Sequence, residues 1–268
     1  MSVDPIRVSR DWLDLREPVD AAARARELVA LLGDGPWLIH DLACGSGAMG
    51  RWLAPRLPGP QRWVLHDRDA DLLAVAGLDV PRAARDGARV GVETRLSDVT
   101  ALREDDLAGA TLITASALLD LLTAVELESV IRLCAGVGCP VLFTLSVTGR
   151  VRLDPPDPLG ARISAAFDAH QRRLTSRGRL LGPDAFDAAV DGFRRTGAEV
   201  VVAASPWRLG PAEADLAVAW FAGWIGAACE HDPELAAEAE LYRRRRLRQA
   251  RAGRLAVTVR HSDLLVLP

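Results

Sequence analysis

The sequence predicts an α/β protein built on a mostly parallel β-sheet, and two observations carry this prediction. Short β-rich runs alternate with helical stretches through the first half of the 268-residue chain, a pattern typical of parallel strands joined by crossover helices. In addition, residues 38–50 form a strand-like run that leads directly into a glycine-rich turn and a helix. No internal repeat or low-complexity linker is found, so we expect one domain over 1–268 with additional helices.

Periodicity predicts the elements in chain order. Apolar residues at helical spacing, with Asp20 near the start, predict an N-terminal helix over 18–32. Seven runs have the composition of strands: 37–43, 62–66, 90–96, 111–114, 140–145, 199–204 and 255–259, the last with an extension through 264–267. Further helices are predicted at 118–135, 163–174, 183–195, 211–229 and 233–251, with a loop at 176–179.

The composition excludes several kinds of chemistry. The chain has no lysine and no asparagine, so all 33 of its positive charges are arginines. Schiff-base catalysis and a phosphate-binding loop of the Gly-Lys-Ser type need a lysine amine, and N-glycosylation needs an asparagine. A net charge of −3 argues against nucleic acid as a partner, because clustered cations carry most of that affinity.

Cysteine spacing and the N-terminus indicate the compartment. The four cysteines form no CxxC pair and no zinc-ligand spacing with histidine, so we expect reduced, mostly buried thiols and no metal site. The first 18 residues contain acids and a tryptophan where a signal peptide needs an unbroken apolar run, and no run of about 18 apolar residues follows. These features predict a cytoplasmic protein without a membrane span.

The glycine turn has the sequence LIHDLACGSGAMG over 38–50. Glycines let the backbone approach a ligand closely, and the N-terminus of the following helix offers unpaired N–H groups. Gly45, Gly47 and Gly50 spell GxGxxG, which taken alone indicates NAD or FAD bound through its pyrophosphate. The residues around the turn decide between that ligand and a cationic one.

Three carboxylates lie near the carboxyl ends of the predicted strands. Asp41 lies inside the strand before the turn, where a carboxylate would repel phosphates and attract a cation. Asp67 lies 20 positions beyond Gly47, where it can accept hydrogen bonds from both hydroxyls of a ribose. Asp98 ends the third strand and suits the exocyclic amine of an adenine. Together they favour a ligand with an ammonium group, a ribose and an aminopurine.

These motifs resemble those of the class I, seven-stranded S-adenosylmethionine (SAM)-dependent methyltransferases. The resemblance covers about 37–146, the predicted cofactor-binding core. DLACGSGAMG is similar to the first motif, Asp67 to the ribose-binding acid, Ser97-Asp98-Val99 to the adenine motif and 114–120 to the fourth-strand motif. The resemblance implies a Rossmann-like three-layer sandwich, a seven-stranded mostly parallel sheet with an antiparallel last strand, and auxiliary, substrate-covering helices over 1–36, 151–197 and 211–251. It also implies SAM as the cofactor and S-adenosylhomocysteine (SAH) as the product.

The same resemblance implies roles for the turn itself. Gly45 and Gly47 would lie against the methionine part of the ligand, with Ala43 and Ser46 in the same cofactor-binding turn. Asp41 would face the ligand's amino group, directly or through water. The turn is therefore expected to hold the methionine end of SAM.

Contacts from neighbouring segments are also implied. Asp98 and Val99 would contact the adenine, and Ala115 and Ser116 would line the sulfonium side. Asp98 has a structural alternative, because an aspartate in that position can cap the following turn. The adenine and sulfonium ends of the ligand are thus expected to lie over the third and fourth strands.

Two arginines are candidates for the anionic or aromatic parts of the ligand. Arg16 could reach the carboxylate from the N-terminal helix, and Arg68 follows the ribose-binding acid. Arg16 has the alternative of forming a salt bridge instead. Since the chain has no lysine, these two arginines are the natural cations for a carboxylate or an adenine.

The absence of several motifs reduces the range of possible methyl acceptors. Amino-methylation of adenine in DNA uses an Asn/Asp-Pro-Pro-aromatic motif after strand four, whereas 154–157 lies after strand five and lacks the aromatic residue. Cytosine C5 methylation needs Pro-Cys, and Cys139-Pro140 has the reverse order. Magnesium-dependent catechol methylation uses an asparagine, and protein-arginine methylation uses a paired-glutamate loop; neither occurs here. A small-molecule acceptor, of the kind found in secondary metabolism, remains.

Three further segments have predicted roles. His170 is the best candidate for a general base, because its helix follows strand five and should cover the site; the alternative is an exposed structural histidine. The apolar run 216–225 must be buried beneath the helix pair, in the substrate pocket or in a homodimer interface. The arginines at 243–248 are predicted to be a solvated helix face paired with Glu240.

Two other functions stay open beside SAM-dependent methyl transfer to a small molecule. The GxGxxG pattern on its own favours an NAD(P)-dependent oxidoreductase. The arginine run 243–248 favours an RNA-associated relative of the methyltransferases. The three spaced carboxylates favour SAM over both alternatives.

Overall fold

A mixed β-sheet forms the centre of the computed structural model, which describes residues 8–268. Eight of the ten strands in this part of the chain belong to that sheet, and β6 and β7 form a separate hairpin. In chain order the strands are β1 (Trp37–Leu42), β2 (Gln61–Asp67), β3 (Val90–Leu96), β4 (Leu112–Ser116), β5 (Val141–Asp154), β6 (Leu174–Thr175), β7 (Gly178–Arg179), β8 (Glu199–Ala204), β9 (Trp207–Leu209) and β10 (Ala256–Leu267).

The strands follow the order β3-β2-β1-β4-β5-β10-β8, and β9 pairs with the opposite end of β10 from β8. Strands β1 to β5 pair in parallel, whereas β10 is antiparallel to β5, β8 and β9. The predicted Rossmann-like sheet, mostly parallel with an antiparallel last strand, is confirmed. Strand β9, which sequence periodicity did not indicate, is an addition to it.

Helices cover both faces of the sheet. In chain order they are α1 (Arg10–Ala23), α2 (Arg26–Val29), α3 (Ala48–Leu53), α4 (Ala70–Asp79), α5 (Ala124–Val137), α6 (Pro158–Gln171), α7 (Ala185–Arg195), α8 (Ala214–His231) and α9 (Ala236–Arg251). Helices α5 and α7 pack against the face that contains Ile113 and Phe143. Helices α3 and α4 pack against the face that contains Trp63 and Leu142. Because side chains alternate along a strand, neighbouring residues such as Leu142 and Phe143 belong to opposite layers.

A third hydrophobic core lies outside the two layers of the sheet. Helices α6, α8 and α9 contribute to it, and Trp224 and Tyr242 are almost completely buried there. On the side that faces the sheet, this core is completed by Leu153 from the outer part of β5, Val257 from the outer part of β10 and Trp207 from the short β9. The apolar run 216–225 is therefore buried within this chain. The predicted homodimer interface stays a prediction.

The N-terminal helix differs from the predicted one. It was expected over 18–32, but α1 begins at Arg10 and ends at Ala23. Ser9 caps it, since its hydroxyl accepts a hydrogen bond from the Trp12 N–H. Pro18 lies inside the helix rather than at its start, so the helical spacing before the proline was the stronger signal.

Other boundaries also shift. The helix expected over 118–135 begins at Ala124, because Thr123 and Glu126 form a reciprocal capping box. The expected loop 176–179 contains β7 and the turn of the small hairpin. Strand β5 continues to Asp154, nine residues beyond the predicted end at 145. This extension makes β5 and β10 a long antiparallel ribbon.

The ribbon contains an irregularity filled by a buried carboxylate. Register shifts between Ser262 and Leu264, where Asp263 lies with no exposed surface. The Asp263 carboxylate accepts hydrogen bonds from the Leu145 N–H at 2.7 Å, the Ala25 N–H at 2.9 Å and the Ser205 hydroxyl. It thereby connects β10 to β5, to the start of α2 and to the segment between β8 and β9.

We expect Asp263→Ala to destabilise the fold strongly. The substitution leaves two backbone N–H groups and one hydroxyl without an acceptor in the interior, so the free energy of unfolding should fall by about 3 kcal/mol or more. Urea denaturation followed by circular dichroism measures this change. Asp191→Ala, on the exposed surface of α7, is the matched control and should change stability by less than about 0.5 kcal/mol. Similar losses in the two variants would contradict the role of Asp263.

Two stacked histidines lie inside the sheet. The His40 and His66 rings have centroids 5.2 Å apart, and His40 Nδ1 lies 2.9 Å from His66 Nε2. His66 Nδ1 lies 3.0 Å from the Ser97 hydroxyl. Burial lowers the pKa of both imidazoles to about 4, with further lowering from nearby charges such as Arg95. The folded protein therefore contains the neutral pair, whereas an unfolded chain protonates these residues near pH 6.5.

The histidine pair should make stability fall in mild acid. A lowered folded pKa means that the stabilising effect is complete above about pH 6.5 and is lost as the pH falls towards 4. The difference in free energy of unfolding between wild type and His40→Gln should therefore be larger at pH 7 than at pH 4.5, as measured by urea denaturation. His231→Gln, on the surface, should show a constant difference. A pH-independent difference for His40→Gln would contradict the assignment.

Candidate functional site

A single elongated cavity of about 620 Å³ lies over the carboxyl ends of the parallel strands. One end is lined by residues after β2 and β3, including Asp67, Arg68, Asp98 and Val99. The middle is lined by Ala43, Gly45 and Ser116, and the far end by Trp12, Phe167, Trp207, Trp220 and His261. Its volume lies in the range of small-molecule sites. One cavity thus joins the polar strand ends to an aromatic compartment.

The glycine turn forms the floor at the centre of this cavity. Ala43, Gly45 and Gly47 all have positive φ angles, of 51°, 56° and 86°. The Gly45 N–H donates a hydrogen bond of 2.7 Å to Asp67, which fixes the turn against the end of β2. A Cβ atom on Gly47 would lie 3.1 Å from the backbone of Ala76, so this glycine is needed for packing on α4. Gly47 does not line the cavity.

Ser46 and Ala115, both predicted ligand contacts, also lie outside the cavity lining. Ser46 is buried, and its hydroxyl and carbonyl accept hydrogen bonds from Arg51. Arg51 also pairs with Glu17, so it joins the glycine turn to α1. Ala115 packs in the core beneath the α5 side of the sheet. Among the described residues, Ser46 and Ala115 therefore pack beneath the residues that line the cavity.

Asp67 and Asp98, the two predicted acids at the polar end, keep part of their hydrogen-bonding capacity free within residues 8–268. Asp67 accepts one backbone hydrogen bond at each carboxylate oxygen, from Gly45 and from Asp69. Asp98 accepts hydrogen bonds from the Thr100 N–H and hydroxyl at one oxygen only. Burial alone would raise the pKa of Asp98, but the Thr100 hydrogen bonds outweigh it and the pKa is lowered. Asp98 is therefore an ionised turn cap whose second oxygen can accept a donor from a ligand.

Asp41 and Arg24 are buried near the middle of the cavity but outside its lining, and they influence each other through their charges without a hydrogen bond between them within residues 8–268. Asp41 is fully buried and accepts a hydrogen bond of 2.7 Å from Thr114, while its second oxygen has no partner within residues 8–268. Burial raises the pKa of Asp41 to about 7, although Thr114 and Arg24 oppose this shift. Arg24 donates to Ser116 at 3.1 Å, and its Nη1 also lacks a partner in the described chain. Two orphaned atoms of opposite charge thus lie just behind the cavity floor.

Arg16 lines the cavity but is held by an acid. Its Nε and Nη2 donate to Asp20 at 2.8 and 3.3 Å, and its guanidinium lies 4.9 Å from the Trp207 ring centroid. Trp207 donates to the same carboxylate at 2.8 Å. The salt-bridge alternative for Arg16 therefore matches its geometry. Arg24, which the sequence did not indicate, donates to the cavity-lining Ser116 and has a further donor without a partner in the described chain.

The structure does not bring His170 to the cavity. Its Nε2 lies 3.1 Å from the Glu230 carboxylate, so the imidazole is directed across the contact between α6 and α8. Burial lowers the pKa of His170, and Glu230 partly offsets this effect. From α6, Phe167 lines the cavity instead. The prediction of His170 as a base therefore lacks the geometry that a base requires.

Asp120 and His261 are among the titratable residues that line the cavity and that sequence analysis did not select. Asp120 lies in a short 3₁₀ turn after β4, inside the fourth-strand motif that carried the resemblance. His261 lies on β10, where burial lowers its pKa to about 3, and its Nδ1 has no partner among residues 8–268. The motif was the available signal for Asp120. For His261 no local signal existed, because its position depends on the pairing of β10 with distant strands.

The remaining predicted features can also be placed. Arg243 and Arg244 pair with Glu240 at 2.8 and 2.6 Å, Arg245 pairs with Asp157, and Arg246 is buried. The four cysteines are free, and three of them are buried. No cluster of metal-ligating side chains occurs in the part of the chain that the structure describes. No described helix is long and apolar enough to cross a bilayer.

Comparison with known proteins gives structural likeness without sequence likeness. No family model and no curated protein sequence matches this chain. Its structure is similar to the cyclopropane synthase MmaA2 from Mycobacterium tuberculosis, with a TM-score of 0.51 and 13% identity over 97% of this chain and 94% of that one. It is also similar to the mycolic acid cyclopropane synthase CmaA1 complexed with SAH, with a TM-score of 0.50 and 14% identity over 96% and 94% of the two chains.

A third similar structure is the YcgJ protein from Bacillus subtilis, with a TM-score of 0.51 and 10% identity over 90% of this chain and 95% of that one. At such low identity these likenesses show the fold. They confirm the predicted Rossmann-like fold. The chemistry of this chain has to be argued from its own residues.

Proposed function

We propose that this chain is a SAM-dependent methyltransferase that acts on a small-molecule acceptor by in-line transfer. The observation that carries the proposal is the single cavity that extends from Asp67 and Asp98 to the aromatic compartment at Trp207 and Trp220. Methyl transfer requires donor and acceptor to lie in one continuous, water-excluding space, because the nucleophile must attack in line with the bond that breaks. A cavity of this shape has room for both partners.

The polar end fits an adenosine. Within residues 8–268 each Asp67 oxygen accepts one hydrogen bond, so each keeps a lone pair for a ribose hydroxyl. The free oxygen of Asp98 suits an adenine amine, and Val99 and Arg68 offer an apolar and a planar cationic surface beside it. These residues would bind and orient the nucleoside part of the cofactor.

The orphaned charges in the middle fit an amino acid. Although neither residue lines the cavity, a ligand ammonium above Asp41 would favour the ionised form of this acid, and the charge of Arg24 would favour a ligand carboxylate beside Ser116. Arg24 also positions Ser116, which lines the cavity at this point. When bound, SAM supplies an electrophilic methyl group. The protein's own part is to orient this end, to exclude water and to hold the acceptor opposite it.

The residues argue against the two alternative functions. A dinucleotide would place pyrophosphate near the buried Asp41, and the middle glycine of GxGxxG, Gly47, packs on α4 instead of lining the cavity. The arginine run is engaged, since Arg243 and Arg244 share Glu240 and Arg246 donates to the Pro155 carbonyl. Neither feature supports NAD or RNA as the ligand.

Calorimetric titration tests the proposal directly. SAH should bind to the wild-type protein, and Asp67→Asn should bind it about 10- to 100-fold more weakly, because hydrogen bonds between the ribose and a charged carboxylate are lost. Asp105→Ala, which alters an exposed acid far from the cavity lining, should bind SAH as the wild type does. NAD should not bind to any of the three proteins.

Binding of NAD in place of SAH would contradict the proposal and favour the oxidoreductase alternative. Equal SAH affinity in the wild type and Asp67→Asn would show that the ribose lies elsewhere. Thermal unfolding of each variant, followed by circular dichroism, separates a loss of binding from a loss of folded protein.

A further inference from the structure

We infer, building on the proposed function, that Asp120 is the general base of the reaction and that the acceptor is a ring-bearing molecule whose hydroxyl is methylated. Asp120 lies in the 3₁₀ turn Leu119–Leu121, immediately after β4. Ser116 and Leu121, on either side of it, line the same cavity. Asp120 therefore belongs to the same cavity as Ser116, beside which the cofactor's reactive end is proposed, and as the aromatic residues Trp207 and Trp220.

Asp120 differs from the other cavity-lining acids in how few hydrogen bonds its carboxylate accepts. Asp67, Asp69 and Asp98 each accept hydrogen bonds from backbone N–H groups of the chain. Asp71 is exposed at the rim. Within residues 8–268, no other residue donates a hydrogen bond to the Asp120 carboxylate. A base has to offer an available lone pair at the reacting atom, and Asp120 is the inward-facing acid that meets this condition.

The buried surroundings of Asp120 give its carboxyl group a pKa that suits proton transfer. Burial raises the pKa of Asp120 to about 6, while the charges of Arg16 and Arg173 act in the opposite direction. The carboxylate is therefore ionised at neutral pH but is far more basic than an exposed aspartate. This places its pKa close to the working pH, where general-base catalysis is most effective.

The compartment beside Asp120 indicates the chemistry of the acceptor. Phe167, Trp207 and Trp220 provide aromatic surfaces on which a flat ring can pack. Arg16 is already bound to Asp20, whereas Arg260, which also lines the cavity, is exposed. His261 is neutral, and its Nδ1, which has no partner among residues 8–268, can bond a polar substituent. A ring with a hydroxyl fits these surfaces.

The proposed transfer forms one carbon–oxygen bond and breaks one carbon–sulfur bond and one oxygen–hydrogen bond. The acceptor oxygen forms a bond to the methyl carbon of SAM, and the carbon–sulfur bond breaks with its electron pair remaining on sulfur. The hydroxyl proton moves to an oxygen of Asp120. The products are a methyl ether and SAH, and the proton later leaves Asp120 for solvent. No oxidant, metal or further reactant is required.

A chromogenic phenol tests this assignment without knowledge of the natural acceptor. The probe is 4-nitrophenol, whose visible absorbance reports its ionisation, titrated into the SAH-saturated protein across a pH series. Beside the ionised Asp120 the neutral phenol is favoured, so the bound probe should ionise at a pH higher than the free probe by about one unit or more. In Asp120→Asn the amide can donate to the phenolate, and the apparent pKa of the bound probe should fall by a similar amount.

Asp168→Asn provides a matched control. Burial raises the pKa of Asp168 to about 6 as well, but this residue does not line the cavity, so its replacement should leave the bound probe unchanged. Failure of 4-nitrophenol to bind the wild-type complex at millimolar concentration would overturn the acceptor class. Identical probe ionisation in wild type and Asp120→Asn would overturn the role of Asp120.

Titration with SAH, performed first on all three proteins, separates this inference from the proposed function. Absence of SAH binding to the wild type contradicts methyltransferase function itself. Normal SAH binding in Asp120→Asn, together with an unaltered probe, contradicts only the role of Asp120. The first titration also shows that the variant is folded, because a disordered site could not bind SAH with wild-type affinity.

Discussion

The carboxylate of Asp263 is the constraint on which the arrangement of the site depends. It fills the irregularity in the β5–β10 ribbon and accepts hydrogen bonds from Leu145, Ala25 and Ser205. At this point the inner half of β5 ends its pairing with β4, and the outer half continues away from the sheet with β10 alone. Leu145 itself has a φ angle of 57°, an unfavourable value for a branched side chain that the surrounding contacts must hold in place.

Two consequences for the cavity follow from this constraint. The outer half of the ribbon provides Val151, Val259 and His261 as one wall, with the third hydrophobic core behind it. The bond to Ala25 fixes the chain just after α1, and the contact of Glu17 with Arg51 fixes α1 against the glycine turn. The walls of the cavity are therefore elements anchored to the sheet, which is what a reaction that depends on fixed orientation requires.

Local patterns predicted some parts of the structure well and others poorly. Strands β3 and β8 have the predicted bounds, because alternation and composition are local properties of a strand. The extension of β5 to Asp154 was missed, since it depends on pairing with β10 about 100 residues later in the chain. Within the site, Asp67 and Asp98 line the cavity where the motifs suggested.

Other parts of the site depend on tertiary contacts that no local pattern encodes. Trp207 donates to the carboxylate that pairs with Arg16, and Arg24 donates to Ser116 on β4; both contacts join residues about 90 or more positions apart in the chain. His170 was selected because its helix was expected to cover the site, but Glu230 holds its imidazole against α8. Chemistry-bearing residues were therefore predictable where they follow a parallel strand directly, and not where a helix orients them.

The central claim is that one cavity holds SAM with its ribose at Asp67 and its amino acid end near the buried residues Asp41 and Arg24. A crystal structure of the protein with bound SAH tests this claim most directly. The account predicts both ribose hydroxyls within hydrogen-bonding distance of Asp67, the SAH carboxylate beside Ser116 and the sulfur facing the aromatic compartment. A ligand bound in the reverse direction, or outside this cavity, would contradict the account.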